Sequence, residues 1–160
     1  MFKIMTLASV FITVLCLSTK VNAQQVQIPE IGVFLPSITK VKPKEVSVVD
    51  GLWRVSSIDK VFRIDRGRIY AIDGWLHMFV LNIKPGTVVI HPFTEQFPGI
   101  FVSDDLPLQG PLRVELTGDR ILDVTVKGAL GDVNYQLIPQ KLDDPAGFNA
   151  LVNEVREQGR

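Results

Sequence analysis

Cysteine is nearly absent from this chain: its 160 residues hold one, Cys16. That residue lies inside an apolar N-terminal stretch, so the rest of the chain can form no disulfide, no cysteine-zinc site and no thiol nucleophile. Histidine is confined to His77 and His91. No Asn-x-Ser/Thr acceptor occurs, and no apolar run reaches the roughly 20 residues that a transmembrane helix needs. Neither charge sign dominates, with 17 basic and 17 acidic residues. That balance argues against wholesale nucleic-acid binding.

What is present begins with an export signal over residues 1–23. Lys3 supplies a positive start, an apolar run of about 14 residues follows, and Val21-Asn22-Ala23 places small residues where a signal peptidase cuts. Leu15 stands just before Cys16, where a lipoprotein signal requires a small residue. Removal of the leader takes Lys3 and Lys20 with it, leaving 15 basic against 17 acidic residues and a net charge of −2. A thiol-free, sequon-free exported domain fits a bacterial periplasmic or secreted location better than a eukaryotic one. The remaining length is enough for one domain, with no need of a metal or disulfide staple.

Residues 24–45 carry Pro29, Pro36 and Pro43 and no helical pattern, which predicts an extended arm or edge strand. Lys40, Lys42 and Lys44 fit a solvated strand face, or a contact for anionic lipid or polymer. Residues 46–142 then show short β-branched and aromatic runs, broken by turns every six to ten positions. That pattern predicts an all-β domain, an antiparallel β-sandwich or small barrel of about eight strands. Runs at 61–65 and 68–73 flank Arg66-Gly67, and runs at 112–117 and 120–127 flank Gly118-Asp119, two expected hairpins. Leu122, Val124 and Val126 alternate with polar residues, and Val133, Tyr135 and Leu137 continue the alternation into a third strand. Residues 75–83 predict a strand that is apolar on both faces, with Trp75, Phe79, Leu81 and Ile83 on one side and Leu76, Met78 and Val80 on the other. Such a strand needs a cover.

Residues 143–160 predict the one helix, packed on the β domain. Asp144 suits the N-cap and Pro145 the first turn. Phe148, Leu151, Val152 and Val155 make an apolar face, for which the strand at 75–83 is the expected partner.

Side chains that carry chemistry are sparse. His77 or His91 with Asp65 or Asp73 nearby could form an acid/base or metal pair, and the ordinary alternative is a hydrogen-bonded sheet histidine. Ser56-Ser57 is expected within a strand and lacks the strained elbow of a serine nucleophile. Asp104-Asp105 reads as an acidic turn without the alternating oxygen donors of a calcium loop. Arg63, Arg66 and Arg68 cluster at a hairpin tip, suited either to an anionic envelope component or to pairing with Asp59, Asp65 and Asp73. No catalytic residue, metal ligand or cofactor is assigned.

Gly51-Leu52-Trp53 resembles the Gly-x-Trp that opens the first strand of lipocalin-type barrels, and a series of antiparallel strands followed by a helix resembles their plan. The resemblance covers those three residues and the gross layout. It implies an apolar ligand near Trp53, Trp75 and Phe79. The leading expectation is a non-catalytic exported binding module that meets a protein or envelope partner through loops such as 92–99 and 104–111. A carrier of a hydrophobic small molecule and a small histidine-dependent hydrolase are the alternatives.

Overall fold

The computed structural model describes residues 35–77, 81–104, 110–128 and 131–159. The alternating runs form β1 (Gly51–Val55), β2 (Lys60–Asp65), β3 (Arg68–Ala71), β4 (Trp75–His77), β5 (Leu81–Ile83) and β6 (Val88–Ile90). They continue with β7 (Thr94–Phe97), β8 (Ile100–Asp104), β9 (Pro111–Leu116), β10 (Leu122–Gly128) and β11 (Gly131–Leu142). Nine of these strands make one sheet, ordered β6-β3-β2-β1-β11-β10-β9-β8-β7, and β4 and β5 pair separately. Every ladder is antiparallel.

The chain path forces this sheet to curl. β6 and β7 occupy its opposite edges, yet only residues 91–93 lie between them. Eight interstrand spacings would hold the edges of a flat sheet roughly 38 Å apart, whereas the chain from Ile90 to Thr94 reaches at most about 14 Å. The result is a curled half-barrel with one C-terminal helix. Its two edges approach each other along a seam.

Most strands of the large sheet feed a single core, and β7 does not. Trp53, Phe62, Ile64, Ile69, Phe101, Val114, Leu116, Leu122, Val124 and Leu137 are all buried in it. Polar residues alternate with them, as the period of two requires. Val133, expected on the buried face, is exposed, so the outer half of β11 extends beyond the core.

Several local expectations change. At Arg66-Gly67 both residues have positive φ, 47° and 75°, the conformation of a tight hairpin turn whose twist matches its strands. At the second hairpin the positive φ falls on Arg120, at 70°, and not on the Gly118-Asp119 pair. Thr117 N–H donates to Ile121 O at 2.9 Å, so the loop is longer and β10 starts at Leu122. The run expected as one strand is two, β4 and β5, which pair antiparallel with Trp75 opposite Ile83 and His77 opposite Leu81. That pairing lets Ile83 reach the core while Leu76 stays exposed, so the apolar residues need no second layer over them. Met78, Phe79 and Val80 lie outside the described residues. Ser56-Ser57 sits in the turn after β1, where Ser56 N–H donates to Gln136 O and Ser56 Oγ accepts from Gln136 N–H, both at 2.9 Å.

The helix α1 (Pro145–Glu157) follows its caps. Asp144 Oδ1 accepts from Gly147 N–H at 2.9 Å, satisfying one of the first turn's orphan donors. Phe148, Val152 and Val155 are buried. The partner differs from the expected one: the Phe148 ring meets the Trp53 indole edge-on, with centroids 5.8 Å apart. Val155 packs on Gly99, where an added Cβ would lie 2.6 Å from Val155 Cγ2 and 3.3 Å from Leu116 Cβ. Topology explains the change, because only Asp143 and Asp144 link β11 to the helix, and β11 lies beside β1. So short a link sets α1 over β1 and β9, away from the β4–β5 pair.

Candidate binding cleft

The seam is lined by the arm that precedes β1. Its first described part covers the β6 edge: Ser37 bridges Thr87, Val88 N–H donates to Pro36 O at 2.9 Å, and Ile38 N–H donates to Gly86 O at 2.8 Å. Covering an edge in this way occupies donors and acceptors that would otherwise template pairing. A single 3-10 turn, Ile38–Lys40, follows, which the expectation of a wholly extended arm did not include. Farther on, Lys44 N–H donates to Arg66 O at 2.8 Å, and Lys44 Nζ donates to Thr94 Oγ1 at 2.7 Å. That lysine ties the arm to both the β2–β3 turn and β7.

The three arginines of the hairpin tip all have acidic partners. Arg68 is buried and pairs with Asp65, while its Nη1 donates to Val41 O at 2.7 Å and so clamps the arm. Arg66 Nε lies 3.0 Å from Asp65 Oδ1. Arg63 Nη2 lies 2.5 Å from Asp143 Oδ2. The partner found for Arg63 is thus Asp143, whereas Asp59 pairs with Arg54 and Asp73 Oδ2 accepts from Val61 N–H. Asp50, buried beneath the tip, accepts from Ser47 N–H and Arg66 N–H, both at 3.0 Å.

These contacts move the carboxylates in opposite directions. Burial raises the Asp50 pKa; the two backbone donors offset this in part, and the charges of Asp65 and Asp143 add to the rise. Burial would raise Asp65 as well, but hydrogen bonds from Arg66 and Arg68 and their charges outweigh it and lower the pKa. A carboxylate with a lowered folded pKa contributes stability that is present above its unfolded pKa and lost as pH falls through the folded value. Stability should therefore decline from about pH 4 downward in part through Asp65. Asp50 acts with the opposite sign, its contribution being lost as pH rises. In Asp65→Asn the acid-side decline measured by urea unfolding between about pH 5 and pH 3 is expected to be shallower than in the parent. An unchanged decline would show that the pair does not link protonation to folding.

The aromatic candidates fall into one row. Trp53 is fully buried, and its Nε1 donates to Val49 O at 2.9 Å. Phe62 lies opposite Trp53 on β2, and Trp75 stacks on Phe62 with centroids 5.3 Å apart. Trp75 Nε1 has no acceptor among the described residues, and Phe79 lies outside them. His77 ends β4 and His91 follows β6. Burial lowers the pKa of both, and Lys44 and Arg68 lower His91 further. Among the described residues no group of three or more His, Cys, Asp and Glu side chains could hold a metal ion. Asp65 and Asp73, the carboxylates expected beside the histidines, are engaged by Arg68 and by Val61 N–H.

The feature least visible in the sequence is a cleft along β7. Its upper part, of about 610 Å³, lies between residues 44–48 of the arm and Phe93, Thr94 and Glu95. Its lower part, of about 570 Å³, lies between Glu95, Phe97 and Pro98 on one side and Gly147, Ala150, Leu151 and Glu154 of α1 on the other. Val48 and Glu95 line both parts, so the two adjoin. All four residues of β7 are exposed, Phe97 to 59%. In the sequence this segment reads as a loop, because Thr-Glu-Gln-Phe is short and polar. The signal for it is Pro98-Gly99, where Gly99 with φ of 72° makes the two-residue turn into β8.

No protein-family model matches this chain, and comparison with curated proteins and with solved structures finds no match either. What the sequence and structure define is a β-rich half-barrel whose sheet edges meet at a seam, with an open cleft beside one of them.

Proposed function

We propose that this protein is an exported, non-catalytic binding module of the bacterial envelope or secreted space, and that it engages a protein or envelope partner at its surface. The observation that carries this reading is the cleft along β7, an open groove held between a clamped arm and a capped helix. Rigid elements on both walls favour binding, because little order is lost when a partner docks. The interior supports the same reading. A carrier would need room near Trp53, which is fully buried and where the Phe148 ring already packs.

A photoreactive phenylalanine analogue placed at position 97, with a second variant carrying it at position 76, which is also exposed, tests this in the protein's own host. Crosslinking to an envelope component from position 97 and not from position 76 is the expected result. Crosslinking from neither position, together with a lipid retained in native mass spectrometry, would replace surface binding with the carrier function.

A further inference from the structure

We propose that the occupant of the β7 cleft is an extended peptide segment of a partner protein, which adds a strand to the β7 edge and carries apolar residues flanked by lysine or arginine. This rests on the surface-binding function above and names its ligand class.

The backbone provides the first reason. Leu116 N–H donates to Gly99 O at 2.7 Å, so Gly99, Phe101 and Ser103 turn their backbone groups toward β9, and Ile100 and Val102 turn theirs toward β7. Val102 lies opposite Thr94, which leaves the N–H and C=O of Glu95 directed away from β8 into the cleft. Phe93, two residues earlier on the same side, already shows this direction occupied, since its N–H donates to Gly67 O at 2.9 Å. The β6 edge is covered by the arm, whereas no backbone bond to the outer side of β7 occurs among the described residues. An added strand continues the pairing that Phe93 begins.

Side chains around that edge select the occupant. Val46, Val48, Phe97, Pro98 and Leu151 present apolar surface along the groove. Glu45, Glu95 and Glu154 line it with three carboxylates against the one ammonium of Lys44, and Glu95 Oε1 also accepts from Gly99 N–H at 2.9 Å. An apolar segment with basic flanks complements both features. A second copy of this chain does not, because β7 against β7 would bring these acidic groups together, an arrangement that costs affinity. β7 runs for four residues, a length of about 14 Å, which suits an occupant of four or five residues.

The probe is an acetylated, amidated peptide, Lys-Val-Thr-Val-Arg, titrated into the full mature protein labelled with nitrogen-15. Expected are shifts confined to residues 44–48, 94–98 and the first turns of α1, and slowed hydrogen exchange at the Glu95 amide. N-methylation of both valines, which removes backbone donors, is expected to abolish binding, as is exchange of Lys and Arg for Glu. Phe97→Lys, a change at an exposed position that leaves the core intact, is expected to weaken binding about tenfold. Equal binding by the N-methylated peptide, or shifts elsewhere on the surface, would overturn strand addition. If an envelope protein crosslinks at position 97 while the peptide leaves Glu95 exchange unchanged, surface binding stands and strand addition falls. If neither occurs, both fall.

Discussion

Phe148→Ala is expected to lower the unfolding free energy by about 3–5 kcal/mol. The ring is fully buried against Trp53, Arg120 lies over it at 5.5 Å, and Arg120 Nη1 also donates to Asn149 Oδ1 at 2.6 Å. Truncation removes the transfer energy of the ring and leaves a cavity between α1 and β1, which the short β11–α1 link keeps from collapsing. Against a total of about 5–15 kcal/mol for a domain, the loss is large enough to see as a displaced urea midpoint. A double-mutant cycle with Trp53→Leu should also return a coupling of about 0.5–1.5 kcal/mol from the edge-on contact. A change below about 1 kcal/mol in Phe148→Ala would mean that the helix is an appendage and not part of the core.

Gly51→Ala should be nearly as damaging, by about 2–4 kcal/mol, although it adds one methyl group. Gly51 opens β1 with φ of 153°, and an added Cβ would meet Lys141 O at 2.4 Å and Leu142 Cα at 2.9 Å. Both obstacles are backbone, so no rotamer change relieves them. The β1–β11 ladder would have to open at its end beside the register shift between Leu52 and Trp53. Thermal unfolding of Gly51→Ala against Gly131→Ala checks this, since a Cβ on Gly131 meets nothing within 4 Å. Similar losses in the two variants would assign the cost to glycine's backbone freedom and not to the close approach of the strands.

The elements that could be read from the sequence are those whose signals are local. Arg66-Gly67 marks its turn because few residues tolerate positive φ, and α1 announces itself through Asp144, Pro145 and an apolar spacing of three and four. The β9–β10–β11 meander was likewise legible from alternation within each strand. Where pairing across the fold decides the outcome, local pattern is silent. Residues 75–83 look like one strand because the run holds no glycine or proline to separate β4 from β5. The helix's partner depends on β1 lying beside β11, a neighbour relation between segments far apart in the chain. The same relation brings Asp143 to Arg63, 80 positions away, which no inspection of nearby acidic residues could supply. The cleft was hidden for a further reason: one wall comes from the arm, one from β7 and one from α1, and each is unremarkable alone.

The β1–β11 ladder also sets how the chain can assemble. β7 to β11 pair in chain order, as do β1 to β3, so two blocks of sheet can form through hairpins alone. β1 joins them, pairing residues 82 to 91 positions apart. Closing a loop of that length costs about 2 kcal/mol more entropy than closing a ten-residue one, and contacts of such separation slow folding. Until that ladder forms, both blocks expose an unpaired edge, Trp53 on one and Leu137 on the other, and the helix lacks the Trp53 side of the surface on which it settles. The newly made chain is therefore most vulnerable to aggregation and proteolysis in the interval before β1 finds β11.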